Sequence, residues 1–128
     1  MTGSRWTAVD RVVAVDGDTA TGVRNVPNTL AIFDSHFPRF PVLPGVLILG
    51  SIGALAAHLL ERETGRRWRL AGAGNVGFRH FVQPGDQLEL KVQLKERGDD
   101  GAVLSGEARV DGKVVTRARQ LRMTPVTS

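Results

Sequence analysis

The sequence predicts an α+β fold in which an antiparallel sheet wraps around one long buried helix. A long apolar run follows Gly45, and segments of alternating apolar and polar residues, typical of strands, flank that run. Short turns join several of these segments, which favours hairpins and antiparallel pairing. We expect a single domain over residues 1–128, since a chain of this length can bury a sizeable core.

The central helix is expected from about Gly45 to Glu63. Its apolar residues lie on almost every face, and a helix that is apolar all round is normally buried. Gly65 is a plausible C-cap, because glycine readily adopts the left-handed conformation that ends helices. The run Val46–Leu60 is shorter than the roughly 20 residues of a membrane span. We therefore predict a core helix and no membrane partner.

Three prolines precede this helix at three-residue spacing: Pro38, Pro41 and Pro44. Each proline fixes its own φ and disfavours helix at the preceding residue, so residues 37–44 are predicted to be extended. Pro44 can still occupy a first helical turn. Residues 29–35 stay ambiguous, with a short helical turn as one option.

About six strands are predicted around the helix. The first two form a hairpin around Asp16-Gly17-Asp18, and the last two are joined by a tight turn at Asp111-Gly112. One helix covers only one face of a sheet, so dimerisation is expected to protect the remaining surface and edges. The seven candidate segments for these strands, in order, are Arg11–Val15, Ala20–Val26, Trp68–Gly72, Asn75–Val82, Gln87–Arg97, Ala102–Val110 and Lys113–Met123.

The composition argues against some classes of binding partner and favours others. The net charge is +4, but the arginines are scattered and no tyrosine is present for base stacking, which argues against nucleic acid. A modestly basic surface suits an acidic partner such as a carrier protein. The absence of cysteine and of an apolar leader predicts a cytoplasmic location. The histidines His36, His58 and His80 lack metal-ligand spacing, so no metal is expected.

His36 is the first candidate for chemistry. It lies shortly before the expected helix start, where unpaired N–H groups and the positive end of the helix dipole favour negative charge. A histidine near such groups could act as a base beside an oxyanion site.

The stretch HFPRFPVLPGVLIL resembles the signature of the hot-dog-fold 3-hydroxyacyl-carrier-protein dehydratases of type II fatty acid synthesis. The resemblance extends through LAGAGNVGFRHFVQPGDQLELKVQL and GEARVDGKVV, and covers roughly residues 10–123. It implies a hot-dog dimer with two acyl tunnels at the interface. It also implies substrates carried on the phosphopantetheine arm of an acyl carrier protein, with no further cofactor.

Residue roles follow from the same resemblance. His36 would take the α-proton of a 3-hydroxyacyl thioester. The N–H of Gly45 would polarise the thioester carbonyl, and Val46 would help to shape that oxyanion site. In the family, a helix carboxylate of the other subunit assists loss of the β-hydroxyl.

The sequence departs from the family pattern at that carboxylate. The position fourteen residues after the histidine is Gly50, the family's glutamine four residues later is Ala54, and the glycine before the histidine is Ser35. A symmetric dimer would then contain two histidines and no helix acid. A heterodimer whose related partner supplies the acid would complete one composite site.

Several residues keep two interpretations. Gly50, Gly53 and Ala54 either line a widened acyl tunnel or allow close helix packing. Asp34 could substitute for the acid, and Ser51 could position a water, although a solvated carboxylate and a packing serine are the simpler readings. The arginines Arg66, Arg67 and Arg79, with Arg69, could form a basic rim for the carrier protein or only a solvated face.

The sequence therefore predicts dehydration of carrier-bound 3-hydroxyacyl thioesters in a fatty-acid or polyketide pathway, with a homodimer or heterodimer as the assembly. A second hypothesis is an acyl-thioester hydrolase of the same fold, with water positioned near His36 or Asp34. A third is a non-catalytic subunit that binds acyl chains or stabilises a partner.

Overall fold

The computed structural model describes residues 9–26, 45–83 and 85–126, apart from the side chain of Val46. The predicted extended segment 37–44 and the ambiguous segment 29–35 lie outside the described residues. In chain order the elements are β1 (Arg11–Asp16), β2 (Thr19–Asn25), α1 (Gly45–Thr64), β3 (Trp68–Phe78), β4 (Gln87–Arg97), β5 (Ala102–Val110) and β6 (Lys113–Pro125).

The strands form one six-stranded sheet in the order β1-β2-β4-β5-β6-β3, and every pairing is antiparallel. The helix packs on one face of this sheet and contacts β2 to β6. This is the hot-dog α+β architecture that the sequence predicts. Within the described ranges, no helix is both long and apolar enough to cross a lipid bilayer.

The predicted hairpin turns are confirmed. Asp111 and Gly112 have φ values of 51° and 81° and join β5 to β6. Positive φ at both central residues is the conformation of a type I′ turn, whose twist matches that of the flanking strands. Gly17, with φ of 58°, lies in the two-residue turn between β1 and β2.

The prediction of two separate strands after the helix is wrong. Residues 68–78 form one strand, β3, which pairs with β6 and carries a register shift between Leu70 and Gly72. The glycines do not break it, since they lie under side chains of β6. A Cβ atom at Gly72 would lie 2.7 Å from Nη2 of Arg122, and one at Gly74 would lie 2.7 Å from Oε1 of Gln120.

The helix ends as predicted. Gly65 has φ of 73°, and its N–H donates to the carbonyl oxygen of Glu61 at 2.9 Å. Thr64 then ties the helix to the next strand, because its Oγ1 accepts a hydrogen bond from Nε1 of Trp68 at 2.9 Å. This link fixes the direction in which the chain leaves α1 and enters β3.

The core lies between α1 and the concave face of the sheet. Fully buried side chains come from the helix and from β4, β5 and β6, among them Ile52, Leu55, Leu90 and Leu104. The helix packs tightly against the sheet at Gly106 of β5, where an added Cβ would collide with Cγ2 of Ile52. Only glycine leaves room for the helix at this point of the sheet.

Candidate functional site at the start of the central helix

The candidate site is built around the first turn of α1. Gly45 is the first residue of the helix, as predicted, and Val46 follows it in the same turn. The first N–H groups of a helix have no intrahelical partner, and the helix dipole adds partial positive charge there. The two predicted acid–base residues, His36 and Asp34, lie outside the described residues, so their roles stay predictions.

Phe78 lies against the helix start. A Cβ atom at Gly45 would lie 2.5 Å from Cε1 of the Phe78 ring, closer than real Cβ contacts. The ring nevertheless has 56% of its surface exposed. The last residue of β3 therefore brings a large, exposed aromatic side chain to the position where the resemblance implies an oxyanion site. The sequence did not indicate Phe78, because Phe78 and Gly45 lie at opposite ends of the segment that contains α1 and β3 and meet only in the folded chain.

The three predicted tunnel residues lie on neighbouring positions of one helix face but differ in burial. Gly53 is buried against β3, where an added Cβ would lie 3.1 Å from Cδ2 of Leu70. Gly50 and Ala54 are half-buried and one helical turn apart, so they lie on a common face. Gly53 is thus a close-packing glycine, whereas Gly50 and Ala54 keep their predicted role as tunnel residues open.

Ser51 packs toward β2. It is fully buried, and Nη1 of Arg24 donates to its Oγ at 3.4 Å, a long hydrogen bond. This contact agrees with the packing interpretation of Ser51, and its role in positioning a water stays a prediction.

Arg24 is a buried cation that sequence analysis missed. Only 3% of its surface is exposed, and burial lowers the pKa of its guanidinium, while the nearby Asp10 carboxylate acts in the opposite direction. Asp10 is itself held by the N–H of Asn25, which donates to Oδ2 at 2.7 Å. The strand pattern could have identified Arg24, since it is in phase with the inward residues Ala20 and Gly22.

Thr116 is a second buried polar residue that sequence analysis missed. It is fully buried in β6 and lies directly opposite Phe78 in the pairing of β6 with β3. Across the part of the chain that the structure describes, its Oγ1 has no hydrogen-bond partner. Its signal in the sequence is faint, because threonine is common in strands.

The predicted basic rim is not one patch within a single chain. Arg66 and Arg67 are exposed between the end of α1 and the start of β3, and Arg66 Nη1 donates to the carbonyl oxygen of Asp99 at 3.1 Å. Arg79 is exposed just after the opposite end of β3. A strand of this length separates the two groups by roughly 30 Å.

The other histidines do not assemble a metal site. His58 is half-buried on α1, and His80 is exposed after β3. Among residues 9–26, 45–83 and 85–126, no three His, Asp or Glu side chains converge as metal ligands would.

A long helix packed on one face of a six-stranded antiparallel sheet defines a protein of the hot-dog fold. A family model described as ApeI-like, the ApeI dehydratase, matches residues 12–115. The chain therefore belongs to the ApeI-like dehydratase family, and the predicted family is confirmed.

Two similar proteins agree with this membership. The 3-hydroxyacyl-(acyl-carrier-protein) dehydratase FabZ of Bacillus velezensis is 43% identical over 115 residues, which cover 86% of this chain and 81% of that protein. The FabZ of Bacillus subtilis is 44% identical over 112 residues, covering 84% of this chain and 79% of that protein. Both alignments span most of each chain.

Solved structures share the fold. The dehydratase heterocomplex ApeI:P from Xenorhabdus doucetiae superimposes with a TM-score of 0.70 at 21% identity, covering 92% of this chain and 97% of that chain. The E. coli PaaI protein superimposes with a TM-score of 0.71 at 14% identity, covering 91% of this chain and 79% of that chain. At these identities the similarity establishes the hot-dog fold alone.

Proposed function

We propose that this protein catalyses the dehydration of 3-hydroxyacyl thioesters carried on an acyl carrier protein, in fatty-acid or polyketide biosynthesis. The observation that carries this proposal is the 43% identity to a dehydratase of that name over most of both chains. The absence of cysteine is compatible with a reducing, cytoplasmic location, which is part of the proposal. The substrate is carried on a phosphopantetheine arm, and no other cofactor is invoked.

In the proposed mechanism, His36 removes the α-proton of the acyl group. Negative charge then develops on the thioester oxygen, and the N–H at Gly45 in the first turn of α1 stabilises it, with Val46 beside it. Support comes from the position of Gly45 at the helix start, where backbone donors and the dipole favour an anion. Asp34 and Ser51 remain candidates for positioning an acid or a water.

Loss of the β-hydroxyl requires a proton donor that Gly50 cannot supply. We propose that a related hot-dog subunit provides the acid from its own helix, so that the active assembly is a heterodimer. The hot-dog neighbour from Xenorhabdus doucetiae is a dehydratase heterocomplex, which gives a precedent for unequal subunits in this fold. A homodimer of this chain is the competing assembly.

The edge strand β3 is the proposed contact between subunits. It forms one border of the sheet, and the exposed Phe78 and Phe81 lie at and just beyond its end. A long edge strand with neighbouring exposed aromatic residues is normally covered by a partner. Its placement supports a dimer in which the two sheets join edge to edge.

Edge-to-edge antiparallel pairing would also complete the proposed carrier-protein surface. Two β3 strands related by a two-fold axis run in opposite directions, so the end of one lies beside the start of the other. Arg79 of one subunit would then approach Arg66 and Arg67 of its neighbour if that neighbour is a second copy. In this arrangement the dimer brings together arginines that lie far apart within a single chain.

The reaction can be tested by mass spectrometry of a 3-hydroxyacyl carrier protein incubated with this chain, alone and with hot-dog partners that retain a helix carboxylate. Loss of water with the thioester intact is the expected product, and only with a partner. Release of the free acid would instead identify a hydrolase. Full dehydration by this chain alone would contradict the heterodimer.

His36→Ala tests the proposed base. We expect the dehydration rate of the assembled protein to fall about a hundredfold to ten-thousandfold, the usual contribution of general acid–base catalysis. His58→Ala, which removes a half-buried histidine of α1, is the matched control and should leave the rate nearly unchanged. An unchanged rate with His36→Ala would support a non-catalytic acyl-binding or stabilising subunit.

A further inference from the structure

The fully buried hydroxyl of Thr116 has no structural task that the described residues show. Its Oγ1 makes no hydrogen bond within residues 9–26, 45–83 and 85–126, although buried polar groups almost always have a partner. The methyl group of threonine packs like that of valine, so valine would fill the same space without the cost of an unpaired hydroxyl. The hydroxyl is therefore open to a partner beyond the described residues.

The position of Thr116 indicates which partner that is. Four residues lie side by side across the concave face, one on each of β4, β5, β6 and β3: Leu90, Ala108, Thr116 and Phe78. The Phe78 ring at the end of this row lies against Gly45 at the start of α1. Directly opposed residues of antiparallel strands have Cβ atoms about 5 Å apart, so Thr116 is one side chain away from the helix start.

The neighbours of Thr116 explain why an oxygen rather than a hydrocarbon would be recognised there. Leu90 and Ala108 are buried, and their apolar side chains contain no hydrogen-bonding group. Phe78 is more than half exposed, so its ring can turn without leaving a packed core. Phe78 is also the member of this row that lies against the start of α1.

We propose that the Thr116 hydroxyl hydrogen-bonds an oxygen atom of the bound acyl group, so that this chain selects oxygen-bearing acyl chains over plain hydrocarbon chains. The inference rests on the proposed function, since it assumes that acyl thioesters bind at the start of α1. A hydroxyl can both donate and accept, so it matches the hydroxyl of a 3-hydroxyacyl group in either orientation. Thr116 is thus assigned as a specificity-determining residue, and proton transfer remains with other groups.

Paired thioester probes test this inference. Binding of a 3-hydroxyacyl pantetheine thioester and of the unsubstituted acyl thioester of equal length is measured calorimetrically on the full chain in its assembled form. In Thr116→Val, we expect affinity for the 3-hydroxy probe to fall about tenfold while affinity for the plain probe stays the same. Thr116→Ser keeps the hydroxyl and should retain the discrimination between the two probes.

Thr124→Val is the matched control, because it removes the hydroxyl of a half-buried threonine on the same strand whose Oγ1 donates to the carbonyl oxygen of Asp100 at 3.5 Å. It should change neither affinity. Equal losses for both probes in Thr116→Val, or no loss for either, would overturn the inference and leave the proposed dehydration intact. Failure of the unmodified assembly to bind either probe would instead overturn the proposed function.

Discussion

At the scale of single residues, two buried polar side chains of the sheet interrupt the apolar core, in addition to Ser51 on the helix. Arg24 and Thr116 both lie on the concave face of the sheet, at positions where strand alternation calls for apolar residues. Arg24 reaches Ser51 on α1, whereas Thr116 has no hydrogen-bond partner among the described residues. At both positions a polar residue therefore stands where the inward-facing side of a strand normally carries an apolar one.

Substitution of Arg24 should reveal what its burial costs. Arg24→Met keeps the apolar stem but removes the guanidinium that donates to the buried Ser51, so we expect the free energy of unfolding to fall by about 1–2 kcal/mol. Arg24→Glu places an anion at the same buried position and should destabilise the fold by about 3 kcal/mol or more. Urea unfolding followed by circular dichroism measures both. Equal stabilities for the two variants would contradict this account.

The effects of substitutions at Gly45 and Phe78 on the free energy of unfolding should not be additive. Gly45→Ala forces the Phe78 ring to move, since the new Cβ would lie 2.5 Å from Cε1, and should destabilise the chain by about 1 kcal/mol. In Phe78→Leu the same substitution should cost less. A double-mutant cycle from urea unfolding should give a coupling energy of about 0.5 kcal/mol or more. Strictly additive effects would show that the ring does not restrict Gly45.

At the scale of elements, the fold depends on how closely α1 approaches the sheet. The helix turns Ser51 toward β2, Ile52 toward β5 and Gly53 toward β3, so three consecutive residues contact three different strands. A curved sheet around a helix permits this arrangement, and the small residues at Gly53 and Gly106 provide the room. The start of α1 is thereby held in a fixed position relative to β3 and Phe78.

Gly106 is the most sensitive point of this packing. Gly106→Ala places a Cβ against Ile52 and 2.9 Å from Cδ1 of Leu121, and should lower the free energy of unfolding by about 1–3 kcal/mol. Gly77→Ala in β3 is the control, because an added Cβ there meets nothing within 4 Å. Chemical denaturation of both variants is the measurement. A Gly106→Ala protein as stable as the control would refute the close approach.

At the scale of the whole molecule, the two borders of the sheet differ. One border is β3, which is followed by the exposed Phe81, and the other is β1, which carries the exposed Val13. The large aromatic side chains Phe78 and Phe81 are concentrated at the β3 border, beside the start of α1. We therefore expect the β3 border, rather than the β1 border, to be covered in the assembled protein.

Phe81→Ser tests this expectation. The side chain is 82% exposed within one chain, so we expect the stability of the subunit to be unchanged while the dimer dissociation constant rises about tenfold or more. Val13→Ser, at a residue 55% exposed on the β1 border, should leave the dissociation constant unchanged. Sedimentation velocity over a range of protein concentrations measures the dimer dissociation constant of each variant. An effect of Val13→Ser alone would place the interface at β1.

Much of the fold could be predicted from local patterns. The helix start at Gly45, its end before Gly65 and the full extents of β4 and β5 agree with the sequence predictions. The strand β3 could not be predicted as one element. Its glycines resemble a break in the sequence, and the reason for them, the covering side chains of Arg122 and Gln120, lies on another strand.

The candidate site was predictable only in part. Gly45 was identified because proline and glycine before an apolar run mark a helix start. The grouping of Arg66, Arg67 and Arg79 could not be checked from the sequence, since their separation depends on the length and direction of β3. Family resemblance supplied the role of His36, which stays a prediction because it lies outside the described residues.

The sequence by itself determined the helix, the strands other than β3, the hairpin turns and the family, because alternation, turn residues and motif spacing are local properties of the chain. The tertiary structure alone decided which residues meet. Arg24 and Ser51 are 27 positions apart, and Thr116 is placed opposite Phe78, the neighbour of Gly45, by the pairing of β6 with β3. Such contacts depend on the order of strands in the sheet, and no local pattern encodes that order.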